Sequence, residues 1–108
     1  MQNGSSIPQR EAIAEIKEFA KEQAQKARGA SAASLLKLAR SQIILAQAKE
    51  GEGDLRGALS ALTKGTSLAQ MVMDSAEFRQ EQSHGMRSAL VRDFIDFQQV
   101  RVIFSCPY

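Results

Sequence analysis

From Ile7 to about residue 100 the apolar residues return every three or four positions and never alternate, a period that restricts the chain to helices. Ile13, Ile16, Ala20, Ala24 and Ala27 form the first stripe, while Glu11, Glu15, Glu18, Lys17, Lys21, Glu22 and Lys26 take the other faces. Ser6-Ile7-Pro8-Gln9 reads as a capping box, with Pro8 in the first turn where its missing N–H costs nothing. The spacing predicts a helix over 7–28. The pairs Glu18/Lys21 and Glu22/Lys26 support it by a few tenths of a kcal/mol each and imply no ligand.

Gly29 is placed to stop that helix, and Ser31 or Ser34 to cap the next, over 32–50. Leu35, Leu36, Leu38, Ala39, Ile43, Ile44, Leu45, Ala46 and Ala48 give this second helix an apolar surface wider than one stripe. It is expected to be the central helix or to contact two neighbours, and the short turn before it predicts an antiparallel pair with the first. Gly51-Glu52-Gly53-Asp54 is the clearest turn in the chain, a glycine supplying the left-handed residue and Asp54 the next cap. A third helix follows over 55–76. Along it Gly57, Ala61, Gly65 and Leu68 are spaced for close helix approach, either within the chain or at a partner interface. Residues 77–87 read as a polar connector, and Leu90, Val91, Phe94 and Phe97 as a fourth, shorter helix over 87–100. The fold class is therefore all-α: a three-helix antiparallel bundle with a shorter C-terminal helix. Residues 1–6 read as a disordered tail, 7–100 as the domain and 101–108 as a second tail, extended and packing Ile103 and Phe104 on the bundle. A retained intron is the other reading of that end, because Val100-Arg101-Val102 can be encoded by codons of the kind that open splice donors.

Composition excludes several functions. A chain of 108 residues has room for one domain, and a net charge of +2 is too small for the basic footprint of a dedicated nucleic-acid binder. One cysteine, Cys106, and one histidine, His84, exclude an intrachain disulfide framework and a structural zinc site of the usual kind. No apolar stretch approaches the roughly 18 residues that span a bilayer, and the first residues lack a signal peptide's apolar core. A soluble, intracellular protein is expected, with no direct membrane insertion. His84 reads as a solvated loop histidine, and Cys106 as an unactivated thiol between Ser105 and Pro107. Glu50, Glu52 and Asp54 read as a capped, solvated turn, and Gly51-Glu52-Gly53 lacks the rest of a phosphate loop. No catalytic constellation, metal set or cofactor motif emerges. The expected activity is binding.

A wide apolar second helix beside a small-residue third one predicts a groove for a partner helix, read at i, i+3/i+4 and i+7. Arg40, Ile44, Gln47, Lys64, Leu68 and Met71 are its expected contacts, cations meeting an acidic tail and apolar residues taking anchors. A homodimerisation element without a peptide groove, closed by Leu55/Leu59/Leu62 or by Phe94/Phe97, is the alternative. A tetratricopeptide-like adaptor is weaker, because a single unit without a second copy leaves its faces uncovered.

The run Leu38-Ala39, Ala46, Glu52-Gly53-Asp54, Ala58-Leu59, Leu62, Lys64, Leu68 and Glu77-Phe78 resembles the N-terminal helical dimerisation domain of endosomal deubiquitinases, of the ubiquitin-specific-protease and AMSH types. Those domains are similar to MIT domains, three-helix bundles with a tetratricopeptide-like turn. The resemblance covers about residues 32–80, and the chain carries Leu59, Leu62 and Gly65 where the family carries aromatic residues. It implies a non-catalytic targeting module, with the protease domain downstream. Such a module is cytoplasmic and endosome-associated, binding helical C-terminal tails of ESCRT-III-type subunits or a second copy of itself.

Overall fold

The computed structural model describes residues 6–105, with the side chains of 12–99. Of the expected tail over 1–6, Ser6 belongs to the first helix, while residues 1–5, the side chains of the Ser6-to-Gln9 capping box, and Cys106 lie outside what is described. Helices α1 (Ser6–Gln25), α2 (Ala32–Gly51), α3 (Leu55–Asp74), α4 (Ala76–Gln82) and α5 (Ala89–Ser105) follow in order, with a 3-10 turn at Gly85–Arg87. No strand occurs among the described residues.

Helices α2, α3 and α5 begin where a short polar side chain takes over an orphan N–H. Ser31 Oγ accepts from the Ser34 amide at 3.2 Å, Asp54 Oδ1 from Gly57 at 2.9 Å, and Ser88 Oγ from Val91 at 3.3 Å. Left-handed glycines make two of the reversals, Gly29 at φ 98° after α1 and Gly53 at φ 83° between α2 and α3. The expected turn over Gly51 to Asp54 is present, and of its two candidate glycines Gly53 takes the left-handed conformation while Gly51 ends α2. The first helix closes three residues earlier than the spacing predicts, since the amides of Lys26, Ala27 and Arg28 tighten to carbonyls three residues back on the way to Gly29.

The hub is α3. It packs against α2 on one side and against α1 on another, whereas the expected antiparallel pairing of the first two helices gives way to α1 lying on α3. The second helix does have two neighbours, α3 and α5. Small residues set this arrangement. Ala39, Ala46, Ala58, Ala61 and Ala69 are buried, and a Cβ on Gly65 would stand 2.8 Å from Ile43 Cδ1 and 3.3 Å from the Ala39 carbonyl oxygen. At that height α2 and α3 approach to the limit of their backbones. The open choice for the small-residue line resolves within the chain at Ala61, Gly65 and Leu68, while Gly57 sits beside the Asp54 cap.

Residues read as a polar connector form α4 and the 3-10 turn. Ser75 makes this possible: its hydroxyl donates to the Val72 carbonyl at 2.7 Å as α3 ends and accepts from the Phe78 amide at 3.1 Å as α4 begins. Of the two large apolar residues of the segment, Met86 is exposed and Phe78 is buried with its ring centroid 4.9 Å from that of Phe94, which is in turn 6.1 Å from Phe97. The polarity of the remaining residues reflects a helix with a single inward position. Glu77 adds a long-range tie, its Oε1 accepting from the Ala32 amide at 2.9 Å and so capping α2 from 45 residues away. Helix α5 begins at Ala89 and keeps its helical backbone to Ser105, so the extended tail expected from residue 101 is a helix as far as it is described. Helix-breaking chemistry comes only at Pro107, which disfavours helix at the residue before it. Phe94 and Phe97 are core, 4% and 1% exposed, which removes them as a dimer contact.

Candidate functional site

The residues expected to form one groove fall on two surfaces. Arg40, Ile44 and Gln47 share a face of α2, and Lys64, Leu68 and Met71 share a face of α3, as their spacing requires. But Arg40 turns to α5, donating from Nη2 to the Asp93 carbonyl oxygen at 3.2 Å in a crevice that Leu36 and Leu90 also line. Met71 turns instead to the other end of the molecule, sharing a cleft with Gln25, Arg28 and Leu35. Ile44 is exposed, and Gln47 and Lys64 are half-buried. Leu68 is in the core at 4% exposure, so it has no surface to offer a partner. No groove can open between α2 and α3 where Gly65 holds them in contact.

One exposed apolar surface that is concave lies at α1. The C-terminal half of this helix is seated by alanines, Ala20 and Ala24, which are buried. On α3, Ser60, Thr63 and Ser67 recur at i, i+3 and i+7 on the side turned away from Ala61, Gly65 and Leu68. Ser60 lies in a depression with Ile16 and Phe19, and Thr63 is buried. The large apolar residues Ile13 and Phe19 of α1 are 46% and 58% exposed, and Leu55, which lines a furrow with Ile13, is 69% exposed.

Two furrows result, one on each flank of α1. Ile13, Leu55 and Leu59 line the first, of about 270 Å³, and Phe19, Gly57 and Ser60 the second; Ala12, Ile16 and Arg56 belong to both. A guanidinium therefore sits between two apolar channels, with Glu15 at the rim of the second. The sequence placed Ile13 and Ile16 on the apolar stripe of the first helix and Leu55 on the face of the alternative homodimer. It passed over Phe19, whose position off the alanine face of α1 was the available signal for an outward aromatic.

Groups with reactive chemistry are dispersed. His84 is exposed in the turn after α4, and no cluster of candidate metal ligands occurs among the described residues. Asp54 is occupied as a cap and as a 3.8 Å ion pair with Lys49, an exposed pair that contributes little. No described helix is long and apolar enough to cross a membrane. In comparisons with known proteins no family model, no curated protein and no solved structure matches the chain.

Proposed function

We infer that this chain is a protein-interaction domain that receives the apolar face of an amphipathic partner helix in the furrows flanking α1. The exposure of Ile13, Phe19 and Leu55 around Arg56 carries this reading. Large apolar side chains gathered at a concave surface with one cation between them match helix-in-groove recognition, in which anchors at i, i+3/i+4 and i+7 fill the channel and an acidic side chain meets the guanidinium.

The partner class comes from the resemblance of the α2–α3 turn to the helical domains of endosomal deubiquitinases. The residues that carry it serve the fold here: Ala39, Ala46 and Ala58 pack the helices together, Gly53 and Asp54 make the turn, Glu77 caps α2 and Phe78 is core. What they support is a shared helical hairpin, with α1 to α3 as an MIT-like unit and α4 and α5 as an added flank. On this reading the domain is non-catalytic, recruits a ubiquitin-pathway protein to endosomes, and takes acidic helical tails of ESCRT-III type. The test is a titration of fluorescently labelled tail peptides with the whole chain. Saturable binding that Leu55→Glu weakens at least about tenfold, with helix content unchanged, supports the assignment. Absence of binding across the peptide set, or binding untouched by Leu55→Glu, overturns it.

A further inference from the structure

The crevice between α2 and α5 into which Arg40 turns joins an apolar floor to a cationic wall. Its volume is about 430 Å³, within the range of small-ligand sites. Leu36, 4% exposed, and half-buried Leu90 give it an apolar base, with the small Ala33 and Ala89 beside them. Lys37 and Arg40, three residues apart on α2, line the same space and are both exposed.

Neither cation is neutralised. The sequence holds no Asp or Glu between Glu22 and Glu50, and among the described residues neither Lys37 nor Arg40 forms an ion pair. The Arg40 guanidinium is fixed from one side, by the 3.2 Å bond from Nη2 to the Asp93 carbonyl oxygen, and a guanidinium carries five N–H donors in a planar fork. Those left over can meet both oxygens of a carboxylate. Ala89 and Leu90 form the first turn of α5, whose amides favour the same charge. Asp93 is the one acid on the lining, and against two cations it leaves the crevice one positive charge in excess.

We propose that this crevice takes the free C-terminus of a partner peptide whose last residue is apolar. The carboxylate lies between Lys37 and Arg40, and the last side chain over Leu36 and Leu90. A peptide C-terminus carries its charge and its side chain on one carbon, and the crevice sets cations and leucines equally close together. A side-chain carboxylate brings no apolar group with it, and a long acyl chain would run past the two leucines into water. No residue lines both this crevice and the furrows beside α1, so the assignment does not depend on what they receive. A helix that ends in an amide or a polar residue leaves the crevice empty.

Heteronuclear NMR titration of the whole chain tests this with three probes: the acetylated tetrapeptide Gly-Ser-Ala-Leu, its C-terminal amide, and dodecanoate. The free acid is expected to give saturable shifts at Lys37, Arg40, Ala89 and Leu90, and the amide to bind at least about tenfold more weakly. Lys37→Gln, at an exposed site, is expected to weaken binding of the acid at least about threefold. Asp93→Asn removes the opposing charge and keeps the carbonyl that holds Arg40, so it is expected to tighten binding by about the same factor, with helix content unchanged. No shift up to about 10 mM of the acid overturns the proposal. So does equal binding of acid and amide, weaker binding to the Asp93→Asn variant, or dodecanoate binding more tightly than the peptide.

Discussion

Gly65 sits at a close approach of α3 to α2, and its replacement by alanine sets two effects of known sign against each other. In the middle of α3, alanine gains about 1 kcal/mol over glycine in helix propensity. The added Cβ would stand 2.8 Å from Ile43 Cδ1 and 3.1 Å from Cγ1, where carbons in good contact lie roughly 3.5–4.0 Å apart. Ile43 is fully buried, so its terminal methyl cannot be relieved by moving into solvent. Overpacking of this kind costs about 1–3 kcal/mol, so Gly65→Ala is expected to destabilise by about 1 kcal/mol net. Ile43→Val removes the obstructing methyl and, alone, costs about 1 kcal/mol for the space it leaves. Together the substitutions cancel, because the alanine Cβ occupies the volume the methyl vacated and the propensity gain remains. The double variant is expected to equal or exceed the parent in stability, a coupling of about 2 kcal/mol between residues on different helices. The chain has no tryptophan, so urea unfolding is followed by far-ultraviolet circular dichroism, where each single variant should lower the midpoint by about half a molar. Additivity within about 0.5 kcal/mol would refute the close packing of α2 on α3.

Three further outcomes follow from caps, core and one unpaired atom. Glu77→Ala removes the acceptor from the Ala32 amide and should destabilise by about 1 kcal/mol in urea melts, with hydrogen exchange accelerating first at the start of α2. Phe97→Ala strips a fully buried ring and should cost about 3–5 kcal/mol, whereas Ile44→Ser, on an exposed site, should stay within about 0.5 kcal/mol; equal effects would misplace α5. Gln42 buries an amide oxygen with no hydrogen-bond partner, so Gln42→Met should raise the urea midpoint, by the equivalent of about 1 kcal/mol; a fall would mean that this oxygen is satisfied.

What the sequence made legible was local. Capping by Asp54, the left-handed Gly53 and the helical period of the first three helices follow from side-chain chemistry within a few residues, and all are present. What it concealed depends on partners far along the chain. The acid Glu77 looks solvated until α4 brings it to the first amide of α2, and Phe78 looks isolated until Phe94 lies against it. The choice of α3 as hub was hidden as well. The width of the apolar surface of the second helix pointed to that helix as the centre, whereas α3 packs against both α1 and α2. The expected site failed because helical spacing fixes which residues share a face of one helix and leaves open which faces of two helices look the same way. Arg40 and Met71 each lie on the anticipated face, but one opens to α5 and the other to the end of α1.

The central claim is that recognition takes place beside α1. Its most direct test is a heteronuclear NMR titration of the whole chain with an acidic amphipathic helical peptide, followed residue by residue. The expected result is a set of shifts confined to residues 12–19 and 55–60, strongest at Ile13, Ile16, Leu55 and Arg56, and reduced when Arg56→Glu reverses the charge between the furrows. Shifts centred on Arg40, Ile44 and Gln47 with the α1 resonances unmoved, or no shift at millimolar peptide, would contradict it.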